Sequence, residues 1–88
     1  MKSRTTPRFW KAYDRLPQEI QASANTAYLI WVENPYYPGL QFKRVFTHAP
    51  IYSARVGQGY RALGLLREDT VIWYWIGGHD EYLRLLKE

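Results

Sequence analysis

The stretch "IYSARVGQGYRALGLL", residues 51–66, sets two arginines, Arg55 and Arg61, into an otherwise apolar run with a Gly-x-Gly turn between them. Guanidinium groups bind anions, and phosphate above all, through paired N–H donors. A third group that can do chemistry follows at His79, directly after Gly77-Gly78. An imidazole exchanges protons near neutral pH, and a helix starting there would turn free N–H groups toward an anion. A lone histidine in such a place also serves as a plain polar cap. His48 and His79, without any cysteine or paired carboxylates, make no set of ligands for a catalytic metal, and no cofactor is expected.

Charge supports an anionic partner. Lys2, Arg4, Arg8, Lys11 and Arg15 face only Asp14 in the first sixteen residues, and Lys43, Arg44, Arg55 and Arg61 have no acid among them. The acids gather at Glu68, Asp69, Asp80 and Glu81, and the formal net charge is +4. A sheet whose charged positions are all basic suits a polyanion, most often nucleic acid, although small proteins also run basic for solubility. With 88 residues and no cysteine, one domain over 1–88 must hold itself together by core packing alone. Four Trp and eight Tyr supply large buried areas from few side chains. No run is long and apolar enough for a membrane span, and "MKSRTTPRFWK" has no apolar signal-peptide region, so a cytoplasmic location without membrane contact is expected.

The elements that must position these groups can be read from periodicity. Thr6-Pro7 reads as N-cap and first residue of a helix carrying Phe9, Trp10, Tyr13 and Leu16. Pro17 opens a second helix, with Ile20, Ala24, Ala27, Tyr28 and Trp31 on one face, and Asn34-Pro35 ends it. After the loop "NPYYPG" the period becomes two: "LQFKRVF", "IYSARVG", "YRALGLL" and "TVIWYWIG" read as four strands joined by short turns. The last is apolar on both faces and belongs in a central place or beneath the helices. "HDEYLRLLKE" reads as a short closing helix. The predicted fold is α+β: an N-terminal helical hairpin packed on a four-stranded antiparallel sheet, with a short C-terminal helix. Trp31, Trp73, Trp75 and Tyr28 are assigned to the core, and Tyr60 to core or groove wall.

With helices on one face, the other is expected to be open. A three-residue loop Gly57-Gln58-Gly59 would set Arg55 opposite Arg61, both on that open face; a two-residue loop would set Val56 opposite Arg61 instead. The first is preferred, since Arg61 among core residues would be expensive. Lys43 and Arg44 alternate in direction, so one of them, preferentially Lys43, joins the groove.

The run "YSARVGQGYRALG" followed by "WYWIGGHDEY", with "LPQEIQ" and "ENP" upstream, resembles the RelE/ParE superfamily of bacterial type II toxins, in the small ParE-like branch. The resemblance covers nearly the whole chain. It implies a cognate antitoxin protein as partner, and two activities for the fold. RelE-like members cut mRNA on the ribosome with the substrate's own 2′-hydroxyl as nucleophile and need no metal; ParE-type members poison DNA gyrase by binding. By resemblance, Arg61 would stabilise the scissile phosphate, Arg55 would contact phosphate, His79 would be acid or base, and Tyr82 would orient or stack a base. Lys43, Arg44, Arg55 and Tyr60 would face RNA. The expected function is therefore that of an mRNA endonuclease, with gyrase inhibition as the alternative and a relic that only binds antitoxin as a third reading. Two departures stand out. Ser53 occupies a position where RelE-type sequences carry a second basic residue, and no glutamate lies in the first two strands to act as base. His48 in the "THAP" loop could compensate.

Overall fold

A computed structural model describes residues 1–87. The chain runs β1 (Lys2–Thr5), α1 (Pro7–Asp14), α2 (Gln18–Glu33), a 3-10 turn (Pro38–Leu40), β2 (Lys43–Arg44), β3 (Ile51–Gly57), β4 (Tyr60–Arg67), β5 (Thr70–Gly78) and α3 (His79–Leu86). The sheet has five strands in the order β1-β5-β4-β3-β2, with β1 parallel to β5 and every other pair antiparallel. The α+β class and the helical hairpin are as expected; the four-stranded, wholly antiparallel sheet is corrected. "KSRT" carries no apolar alternation because β1 is an edge strand with only Ser3 half-buried, so nothing in its pattern marks it as a strand. It completes the far edge of β5 and places that strand in the interior of the sheet.

The hairpin begins and ends where the capping chemistry requires. Thr6 Oγ1 accepts from the Phe9 amide at 3.1 Å, and Asn34 leaves helical geometry before Pro35. Phe9, Tyr13, Leu16, Ala24 and Trp31 pack onto Ala54, Val56, Ala62, Val71, Trp73 and Ile76 of the sheet. Trp31 stands edge-on to both Phe42 and Trp73, with ring centroids 5.9 and 5.6 Å away. Tyr28 is not core as expected: it is 46% exposed, stacked on Trp31, with its hydroxyl 2.8 Å from Ser3 Oγ.

Two irregularities aim the side chains. "LQFKRVF" keeps only Lys43 and Arg44 as strand, because Leu40 closes the 3-10 turn and Gln41 takes a left-handed conformation (φ 48°, ψ 41°). In β5 the register shifts opposite Leu63 and Gly64, leaving Tyr74 as an extra residue. Trp73 therefore joins the helix-side core while Trp75, two residues on, joins a second cluster with Leu63 and Tyr82 on the other face. That other face is consequently not open throughout: α3 covers part of it. The predicted closing helix holds through Leu86, and Glu88 lies outside the described residues.

Candidate anion-binding site

The β3–β4 ladder sets Arg55 directly opposite Arg61. It does so by a route other than the expected three-residue loop. The turn is Gln58-Gly59, Gly57 pairs with Tyr60, and a bulge at Val56 takes up the extra residue. Gly59 has φ 81°, a left-handed value that glycine adopts without penalty.

Arg61 is buried, at 7% exposure, with every partner neutral. Its Nε donates to Ser53 Oγ at 2.5 Å, Nη1 to Gln41 Oε1 at 3.0 Å, and Nη2 to the Gln41 main-chain carbonyl at 3.1 Å. Ser53 is itself inaccessible to solvent. It lies two residues before Arg55 on the same strand face, so the serine found where the resemblance implies a basic residue serves as an acceptor for Arg61. The ring of Tyr82 lies beneath the guanidinium, 5.4 Å from Cζ to centroid. Burial lowers the Arg61 pKa from its ordinary value; Tyr82 opposes that shift and the nearby charge of Arg55 adds to it. Among the described residues the one ion pair is the exposed Lys2–Asp69, so no carboxylate neutralises Arg61.

His79 reaches this place through its backbone. Its amide donates to the Gly59 carbonyl at 2.8 Å, tying the start of α3 to the β3–β4 turn. The imidazole is exposed, and its ring centroid lies 5.8 Å from that of Tyr82. Tyr82 is thus the shared neighbour of Arg61 and His79, seated on Leu63 and Trp75. The indole of Trp75 lies across Gly77, the residue opposite Arg61; a Cβ at Gly77 would come within 2.5 Å of Trp75 Cζ2. Only glycine allows the floor of the site to lie so flat.

The remaining predicted residues divide. Lys43 pairs with Ser53 and shares the face of Arg55 and Arg61, exposed at its edge. Arg44 takes the alternate direction, and its guanidinium holds the next loop through the Phe46 and Thr47 carbonyls at 2.8 and 3.2 Å. Tyr60 packs with the helix-side core, across the sheet from Arg61. His48 is exposed in the loop before β3. Gln41 was not marked in the sequence, because a glutamine inside "LQFKR" looks like one more outward residue of a strand, and only the left-handed turn directs it inward.

What the arrangement can do is hold a phosphate-like anion against a fixed cation, with an accessible imidazole alongside to move a proton. No family model matches the sequence, and no curated protein does. Solved structures do match. A chain of the RelB–RelE antitoxin–toxin complex from Methanococcus jannaschii superposes with a TM-score of 0.75 at 17% identity, over 93% of this chain and 96% of that one. The YoeB/ParE toxin from Agrobacterium tumefaciens gives 0.69 at 14% identity, over 90% and 99%. The RelBE2 toxin–antitoxin complex from Mycobacterium tuberculosis gives 0.67 at 23% identity, over 88% and 95%. The chain has the fold of the RelE/ParE-like toxins.

Proposed function

We propose that this chain, folded as the RelE/ParE-like toxins are, is the toxin of a toxin–antitoxin pair and acts as a ribosome-dependent mRNA endonuclease. The observation that carries the reading is Arg61: a buried guanidinium held by neutral oxygens, with no carboxylate partner among the described residues and His79 one aromatic ring away. RNA cleavage by its own 2′-hydroxyl asks for those parts. The 2′-oxygen attacks the adjacent phosphorus, a 2′,3′-cyclic phosphate forms, and the 5′-oxygen leaves with a proton. Arg61 would stabilise the extra negative charge of the pentavalent transition state, and His79 would take or give one of the two protons. Arg55 and Lys43 extend positive potential along the same face and would contact flanking phosphates. The partners of this reading are a cognate antitoxin protein and mRNA on the ribosome, with action in the cytoplasm. Among the described residues no helix is long and apolar enough to cross a membrane.

A second reading has its own support. The helical hairpin exposes Trp10, Tyr28, Leu29 and Val32, an apolar surface suited to a protein partner. If that surface carries the activity, the chain is a gyrase inhibitor and His79 is dispensable.

A translation assay with purified protein, mapping mRNA 5′ ends by primer extension, separates the two. New ends on translated message are expected for the wild type, with losses of about 100-fold or more in Arg61→Lys and His79→Ala. Thermal melts of both variants control for folding. Intact message with every variant would remove the nuclease and direct the test to supercoiling by gyrase.

A further inference from the structure

Gln41 contacts Arg61 twice, through Oε1 and through its own main-chain carbonyl, and it can do so only because it adopts a left-handed conformation (φ 48°) that non-glycine residues seldom take. Ser53 Oγ completes the cradle at Nε. A buried cation ordinarily pairs with a carboxylate, since charge-assisted hydrogen bonds are about twice as strong as neutral ones. Glutamate differs from glutamine at position 41 by one atom type and would fit the same space. The neutral cradle therefore forgoes stability and leaves the positive charge unspent, with like charge from Arg55 standing across the ladder.

We propose that Gln41 is a positioning residue that aims Arg61 while keeping its charge available to a phosphodiester. The inference deepens the phosphate-binding role given to Arg61 above and rests on it. Three of the five guanidinium N–H groups are occupied by the cradle; those that remain, beside the Tyr82 phenol, are the ones an RNA phosphate meets. A glutamate at 41 would occupy the cation permanently and act as a built-in competitor for that phosphate.

The test uses the full chain and a fluorescein-labelled single-stranded RNA with 2′-O-methyl riboses, which cannot cleave itself. Affinity is read by anisotropy across a salt series, alongside thermal melts, for wild type, Gln41→Glu, Gln41→Met and Gln58→Glu. The last places the same charge change on the exposed β3–β4 turn. Gln41→Glu is expected to raise Tm by about 4–8 °C, as an added ion pair would, and to weaken RNA binding by at least about tenfold. Its salt slope should fall by about 0.7, one phosphate contact on a single strand. Gln41→Met, which keeps the volume and loses the acceptor, should lower Tm and weaken binding while the charge remains. Gln58→Glu should weaken binding by no more than about threefold.

Gln41→Glu that binds like Gln58→Glu, or that melts no higher than wild type, overturns the proposal, as does a wild type that binds no RNA. The nuclease reading fails separately. Message left intact on the ribosome, with RNA binding that still depends on Gln41, would remove the cleavage and keep the positioning role.

Discussion

The two faces of the sheet are built by opposite strategies. The helix face carries the larger core, with Trp31 edge-on to both Phe42 and Trp73, yet it leaves a cleft beside the hairpin. Ala24, Ala54 and Ala62 line the bottom of a solvent-open cleft of about 520 Å³ between the hairpin and the strands, with Trp10 and Tyr28 at its rim. The Arg61 face buries fewer residues and is arranged around one buried cation. Trp75 lies flat on Gly77, Ser53 is fully enclosed, and Tyr82 packs between Leu63 and the guanidinium. Stability is concentrated on one side and geometric definition on the other, which is the division expected where one face holds the chain together and the other holds a reacting group in place.

Substitutions can break or sharpen this contrast. The largest effect should come from Trp73→Ala on the helix face, a loss of about 3–5 kcal/mol in denaturant unfolding. For a domain of this size that leaves little or no folded protein. On the site face Gly77→Ala adds one methyl into the indole of Trp75, and should cost about 1–3 kcal/mol by the same measurement. Growing a residue that lines the helix-face cleft should do the reverse. Ala54→Val enters the cleft and is expected to be neutral or stabilising by up to about 1 kcal/mol. If Ala54→Val and Gly77→Ala cost the same, the cleft offers no room to a larger side chain and the comparison fails. The smallest effect belongs to neither face: Lys2→Ala removes an exposed 3.9 Å contact with Asp69 and should change stability by less than about 0.5 kcal/mol.

How much of this was legible depended on whether a residue's role followed from its neighbours in sequence. β3, β4 and β5 were readable because each apolar run ends in glycine or a turn residue; Arg55 opposite Arg61 came from a three-residue loop that is not there, and holds because a bulge at Val56 takes up the extra residue. Alternation said only that one of Lys43 and Arg44 lines the groove, and the register puts Lys43 there, opposite Ser53. The bulge at Tyr74 was not readable, since nothing in "TVIWYWIG" says which of its aromatic residues is the extra one. Tyr28 lies at helical spacing with Trp31, but it reaches the edge strand β1 through its hydroxyl and stays half-exposed at the rim. Gln41 and Ser53 were beyond sequence reasoning for a common cause. Their part is set by a long-range meeting with Arg61, at separations of 20 and 8 residues.

The parallel pairing of β1 with β5 has a kinetic consequence. Lys2 meets Thr70 and Thr5 meets Trp73, so the first strand of the chain waits for one of its last. The β3–β4 and β4–β5 hairpins close within a few residues and can form in microseconds, whereas β1 must be captured across almost the full length of the polymer. A chain growing from its N-terminus therefore carries its first strand unpaired until β5 has been synthesised. Its capture closes a loop that runs from Thr5 round to Thr70.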